Sequence, residues 1–305
     1  LQSKAYQQAV KTRVIASIAN TYYTLLMLDK QLEISLETAE AWKQSVETTR
    51  KLMTIGSANE SAVSSTEANY LSVQASLAEL RRQIRETENS LSLLLGQVPQ
   101  TVDRGRIDEQ ELPAHLATGV PVQLLANRPD VKQSEMSLAS AYYVTNQAYS
   151  AFYPSLTITG ALGWTNNAGA AILNPGKMIA SAVGSLTQPL FNKGQLIANL
   201  KVAKAQQEEA LLAFQYSLLN AGSEVSNALV LYNSSTEKSR LEADQVRSLE
   251  RVVSYTQQLF NLGSASYLEV LTAQKSLLGA QLSKVSDDFY RMQAVVNLYY
   301  ALGGG

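Results

Sequence analysis

The 305-residue sequence predicts a mainly α fold carrying one β-hairpin. Long antiparallel coiled-coil helices are expected to need helical partners, such as other copies of the chain, and the hairpin to contribute to a transmembrane β-barrel. Three observations lead there. Apolar residues recur at spacings of three and four along stretches far longer than the ~11–12 residues of an ordinary globular helix. One segment, Ala151–Gln195, breaks that spacing. Within it, Ser155–Trp164 alternates: Leu156, Ile158, Leu162 and Trp164 share one face with Gly160, while Ser155, Thr157, Thr159, Ala161 and Gly163 share the other.

The first helix is expected over about 3–55, where Ile18, Tyr22, Leu25, Leu32 and Leu36 form a heptad-like stripe interrupted by Asp29. Gly56-Ser57-Ala58-Asn59-Glu60-Ser61 ends it, with Gly56 suited to a C-terminal cap. A second helix, about 61–95, keeps Val73, Leu77, Leu80, Ile84, Leu91 and Leu94 in series with Thr87, and Gly96 stops it. Residues 97–120, with Pro99, Pro113 and the sole histidine, His115, read as an irregular belt outside the core. The third helix is placed at about 122–151, with Pro129 of Arg128-Pro129-Asp130 suited to a first turn.

A Gly-, Asn- and Ala-rich loop, Thr165–Lys177, joins the first strand to a weaker one at about 178–188, closed by Pro189. The fourth helix, about 194–262, would be a rod of roughly 100 Å. Gly263 breaks it. The last, about 267–302, carries Leu278, Leu282, Val285, Phe289, Met292, Val296 and Tyr299 at heptad spacing. The expected division is a first helical hairpin at 1–96, an equatorial segment at 97–121 and a helix leading to the barrel at 122–151. The transmembrane hairpin follows at 152–191, a second helical hairpin at 192–302 and a tail at 303–305.

The chain also repeats itself. A shift of 207 residues places Gly56-Ser57-Ala58 on Gly263-Ser264-Ala265, Val63 on Val270 and Leu95-Gly96 on Leu302-Gly303 without a gap. Because the second copy is preceded by a hairpin, another is expected ahead of the first, upstream of Leu1. Leu1 reads as the inside of a helix, so the true N-terminus is expected further upstream, where a lipid-anchored cysteine could also lie.

Composition narrows the function classes. With 25 basic and 26 acidic residues there is no bulk charge for nucleic acid, and the absence of cysteine removes disulfides and thiolate chemistry. No run approaches the ~20 apolar residues of a membrane-spanning helix, so entry into a bilayer must use strands. A sheet there has to close on itself, because no water satisfies its edges. Two strands here and two upstream, in three copies, give twelve, an even number within the bacterial range. On that arrangement Leu156, Ile158, Leu162 and Trp164 face lipid and the Ser/Thr face lines the lumen.

Several runs together resemble the outer membrane efflux family of TolC-like channel subunits, and most of all its lipoprotein branch paired with resistance-nodulation-division pumps. They are Asn127-Arg-Pro-Asp-Val131, Phe152-Tyr-Pro-Ser-Leu-Thr-Ile-Thr-Gly160 and Gln188-Pro-Leu-Phe191 with Gly194, plus the two Gly-Ser-Ala turns and Tyr267-Leu-Glu-Val-Leu-Thr-Ala-Gln274. The resemblance implies a homotrimer with a twelve-stranded barrel in the outer membrane and a helical tunnel through the periplasm. It implies a passive exit duct of a tripartite pump for small molecules such as drugs or metal ions, with no catalysis and no cofactor. The partners it implies are a periplasmic adaptor docking on the helical tips, an inner-membrane transporter and outer membrane lipid. A type I protein-secretion duct stays open as an alternative, as does a coiled-coil scaffold without a pore. The cargo, the class of transporter and the state of the gate are not legible.

The resemblance also assigns the pore gate to the periplasmic tip. Leu268 matches a hydrophobic constriction. Thr272 stands where an acidic ring is common, leaving Glu269 as its replacement, and Phe260 and Asn261 stand where the family often has Tyr-Arg. A threefold ring of Glu269 would favour cations in the throat. Gly56, Ser57, Ala58, Gly263, Ser264 and Ala265 are the expected adaptor contacts, since small residues admit a close helical partner. Elsewhere the residues offer little chemistry. His115 has no companion ligand for a metal, Asp287-Asp288 reads as part of a solvated face, and Gly303–Gly305 reads as a tail rather than a phosphate cradle.

Overall fold

The computed structural model describes residues 2–112, 128–164, 178–188 and 192–304. In order these form α1 Gln2–Thr54, α2 Glu60–Leu94, a 3-10 turn Ile107–Glu109, α3 Pro129–Ser150, β1 Ser155–Trp164, β2 Met178–Thr187, α4 Gln195–Asn261 and α5 Tyr267–Ala301. Most predicted bounds lie within a residue of these. The exception is α3, which begins at Pro129, where a residue lacking an N–H leaves no helical donor unsatisfied. The expected start at Val122 lies outside the described residues, as do His115, the loop Thr165–Lys177 and Pro189–Phe191.

The chain forms two compact units, residues 3–130 with 219–305 and residues 131–218. In the first, the heptad stripes meet as two apolar clusters. Leu26 and Ile34 of α1 join Val285, Phe289 and Met292 of α5, and Ile107 of the 3-10 turn completes the group. Further along, Trp42 and Ala39 of α1 pack with Val73 and Leu77 of α2 and Leu271 of α5. Ile107 is only 5% exposed, so the 97–120 segment is not wholly outside the core as expected. Leu36, predicted on the apolar stripe, is exposed in this chain.

In the second unit α3 and the start of α4 are tied by Thr145, whose Oγ1 donates to the Ala203 carbonyl at 3.2 Å. Lys204 lies 5.2 Å from the centre of the Tyr149 ring. The strands pair antiparallel, with Leu156 opposite Leu186, Ile158 opposite Gly184, Gly160 opposite Ala182 and Leu162 opposite Ala180. Directly opposed residues share a face, so the register gathers the apolar residues of both strands on one side. Thr157–Ser185 and Ala161–Ser181 fall on the other, with Val183 as its one large apolar member among the described side chains. The apolar face lies open, with Leu156, Ile158, Leu162 and Leu186 each between 67% and 77% exposed. Trp164 closes the ladder opposite Met178, and among the described residues the sheet has two strands only.

Candidate functional site

The two turns of the predicted tips are built alike. At the end of α1, Gly56 N–H donates to Met53 O at 3.0 Å and Ser57 N–H to Leu52 O at 2.8 Å. At the end of α4, Gly263 N–H donates to Phe260 O at 2.9 Å and Ser264 N–H to Leu259 O at 2.8 Å. This pair of bonds returns the last helical carbonyls to donors and needs a left-handed residue at its centre. Gly56 and Gly263 supply it with φ of +76° and +75°. The bonds fall on residues related by the 207-residue shift, so the repeat seen in the sequence is also a repeat of local structure.

The helices that leave the turns are capped differently. Asn59 Oδ1 accepts from the Ala62 N–H at 2.9 Å. In the second turn the Glu269 carboxylate accepts from the Ser266 hydroxyl at 3.0 Å and from its N–H at 3.4 Å, the return arm of a capping box. The pattern Ser266-Tyr-Leu-Glu269 announces that box in the sequence, a local role for Glu269 beside the expected place in a pore ring. Glu269 therefore has a local partner within its own turn. Leu268 is 64% exposed, next to the capped end. Thr272 Oγ1 donates to the Leu268 carbonyl at 2.8 Å, as an ordinary helical threonine does. Phe260 and Tyr267 meet across the turn at a tilt of 56°, ring centres 5.0 Å apart, and Asn261 accepts from Gln257 at 3.2 Å. Ile55 and Leu262, which precede the two glycines, are 73% and 78% exposed. The first tip thus presents Ile55, and the second Leu262 and Leu268, beside a run of small residues.

Away from the tips, two ionic clusters hold the first unit together. Arg104 reaches Asp29 of α1 at 2.9 Å and Glu88 of α2 at 2.7 Å. Arg106 binds Glu33, and Lys30 binds Asp108 at 3.0 Å. Asp29, which interrupts the apolar stripe in the sequence, is the acceptor this belt segment requires. The Glu88 side chain is only 6% exposed. Burial pushes its carboxyl up, but Arg104 and Arg85 outweigh that and hold it below the usual carboxylate range. In the second cluster the buried Arg128 guanidinium donates to Asp130 at 2.7 Å and to the Ala301 carbonyl at 2.8 Å, and pairs with Glu224 at 2.7 Å. A cation there answers the free carbonyls at the end of α5. Thr12 of α1 donates to the Gly303 carbonyl at 3.2 Å.

One expectation is corrected. Asp287 does not belong to a solvated face, being 2% exposed. Its carboxylate accepts from Lys238 of α4 at 3.0 Å. Asp288 is partly buried and is engaged by Lys284 at 2.7 Å and by the Ser239 hydroxyl at 2.6 Å. Adjacent acidic residues in a helix read as solvent-facing because no local signal marks a partner on another helix.

Among the described residues no group of three or more His, Cys, Asp or Glu could hold a metal ion, and no helix is long and apolar enough to cross a membrane. The chain is 28% identical to the cation efflux system protein CusC of Escherichia coli over 310 residues, covering all of this chain and 66% of that protein. To the toluene efflux pump outer membrane protein TtgC of Pseudomonas putida it is 28% identical over 313 residues, covering all of this chain and 63% of that one. The solved structure of the outer membrane protein VceC from Vibrio cholerae matches all of this chain and 73% of its own length, at 26% identity and a TM-score of 0.88. The chain spans about two thirds of the length of the curated relatives it matches. The family model described as outer membrane efflux protein matches residues 1–97 and 120–304, so the chain belongs to that family.

Proposed function

We propose that the full-length protein is the outer membrane channel of a tripartite efflux pump, a passive homotrimeric exit duct for small molecules. It resides in the outer membrane and extends into the periplasm. The observation that carries this reading is the hairpin. Its register collects Leu156, Ile158, Leu162 and Leu186 on one open face, and among the described residues only one edge of each strand is covered. In hydrocarbon such a sheet is stable only when copies close it into a barrel. Long capped helical hairpins at 1–96 and 192–302 would form the tunnel, with 97–121 as its belt, 122–151 as the lead into the barrel, 152–191 as the membrane hairpin and 303–305 as a tail. The exposed small-residue turns at Gly56–Ala58 and Gly263–Ala265 suit docking by a helical adaptor, which an inner-membrane transporter would energise. Two relatives are named for cations and for toluene, so membership of the family leaves the cargo to the transporter.

The test is complementation of a strain lacking the protein. The wild-type gene is expected to restore resistance to metal ions or organic solvents. Ile158→Asp with Leu162→Asp puts charge on the lipid face at a depth-dependent cost, smaller per site than the roughly 2–4 kcal/mol of a mid-bilayer Lys or Arg. That variant is expected to lose resistance and to be missing from outer membrane fractions. Full resistance with both aspartates in place would overturn the reading.

At the inner end of the duct we assign the constriction to Leu268, with Glu269, Thr272, Phe260 and Asn261 around it. Glu269→Gln separates two roles for that carboxylate. A threefold acidic ring predicts reduced cation selectivity in planar-bilayer recordings. Unchanged selectivity leaves Glu269 as the capping residue of α5 and retires the ring.

A further inference from the structure

The helices α4 and α5, joined by Lys238–Asp287 and Ser239–Asp288, each carry a buried series of small residues with a strict repeat of seven. On α5 the positions are Ala273, Ala280, Asp287, Ala294 and Ala301, all buried. On α4 they are Ala221, Ala228, Ser235 and Glu242; the first three are buried and the side chain of the fourth is 14% exposed. Positions of this kind admit close approach of two helices. A carboxylate interrupts the α5 series at Asp287 and ends the α4 series at Glu242, and the two carboxylates are neighbours. Both reach one ammonium: Lys238 Nζ lies 3.0 Å from Asp287 Oδ1 and 3.7 Å from Glu242 Oε1. The remaining oxygens, Asp287 Oδ2 and Glu242 Oε2, are both buried and both lack a hydrogen-bond partner.

The surrounding charges do not resolve this. On α5, Asp288 engages Lys284 and lies 3.7 Å from Arg291. On α4, Ser239 donates to Asp288, and Lys238 is the cation on the pair. From α1, Gln31 reaches Ser286 at 3.3 Å and brings no charge, while Lys30 beside it is held by Glu33 and Asp108. Glu242 and Asp287 have one direct cation between them, a largely exposed ammonium, while the other two cations, Lys284 and Arg291, both sit on Asp288. Two unpaired acceptors side by side have a simple remedy. A single proton makes one of them a donor to the other.

We propose that Glu242 and Asp287 share a proton that clamps α4 to α5, with Glu242 Oε2–H donating to Asp287 Oδ2 and the Asp287 carboxylate remaining ionised against Lys238. The proton comes from solvent and returns there when the pair ionises. Burial, and then the facing Asp287, push the Glu242 carboxyl above its usual range, in keeping with this arrangement. A carboxyl raised in the folded state stabilises fully below its unfolded pKa, and the stability is lost as pH rises through the folded value. The seam is therefore tight in mild acid and loosens toward alkaline pH. The first repeat has Ser35 and Leu80 at the equivalent places, so the device belongs to the second helical hairpin alone. It does not depend on the channel reading.

Infrared spectroscopy of the full-length protein in detergent at neutral pH tests it. The C=O stretch of a protonated carboxyl is expected in the wild type, moved by isotope-labelled glutamate and absent from Glu242→Gln. Melting temperature is expected to fall in the wild type as pH rises above the ordinary carboxylate range, and to fall less in Glu242→Gln, whose amide donates permanently to Asp287. Should that variant not fold, Asp287→Asn serves, since its amide donates to an ionised Glu242 and also removes the band. A wild-type spectrum without a glutamate-assigned protonated carboxyl overturns the proposal. So do melting curves with the same pH dependence in wild type and variant.

Discussion

Two buried ionic clusters in the same compact unit obey opposite rules. Around Arg104, two carboxylates, Asp29 and Glu88, face two cations, since Arg85 also reaches Glu88 at 3.2 Å. Around Lys238, two carboxylates face one cation whose side chain is 62% exposed. Burial pushes both Glu88 and Glu242 upward, yet Glu88 ends below the ordinary carboxylate range and Glu242 above it. The difference teaches that burial decides the direction only where the count of partners leaves a charge unanswered. It also gives the fold two pH limbs. Glu88 contributes stability above its unfolded pKa that is lost as pH falls through its depressed folded value. Glu242 contributes stability in acid that is lost as pH rises.

The largest expected effect breaks the matched cluster. Arg104→Ala removes the cation shared by Asp29 and Glu88 and leaves the deeper carboxylate, Glu88, buried with Arg85 alone. Removing one partner of a buried pair costs about 3 kcal/mol or more. The loss should be greatest at neutral pH and shrink in acid, where Glu88 takes up a proton and no longer needs the guanidinium. Melting temperature of the variant against wild type, measured over an acid series, checks this. A gap that stays constant with pH would mean Arg104 acts through packing rather than charge.

The contrast between the clusters also shows what the sequence makes legible. Helices, strand β1 and both tip turns follow from local signals: apolar spacing, a ten-residue alternation, and glycine where φ must be positive. The chain's repeat could be read because equivalent residues close equivalent bonds. Partnerships between distant segments left no such trace. Asp29 looked like a flaw in a stripe until Arg104, 75 residues on, was placed against it. Ile107 looked like part of a polar belt until it met Leu26 and Phe289. Asp287 looked solvated because its partner, Lys238, lies 49 residues away on another helix. Glu269 is the reverse case, since its capping box lies within four residues and was available to a local reading.

The smallest expected effect sharpens the unmatched cluster. Lys238 opposes the proton on Glu242, because a nearby positive charge favours the ionised carboxylate. Lys238→Met takes that opposition away and leaves Glu242 and Asp287 with each other. The folded-state proton is then held more firmly, so the fall in melting temperature with rising pH should end at a higher pH than in the wild type. In mild acid the variant should melt somewhat lower, because the buried Asp287 loses its cation, a loss limited by the ammonium's own exposure to solvent. The same substitution should leave the acid limb untouched, since Glu88 draws its partners from Arg104 and Arg85. If the alkaline limb instead ended at a lower pH, Lys238 would be stabilising the protonated pair. The shared charge would then have to be carried differently from Asp287 to ammonium.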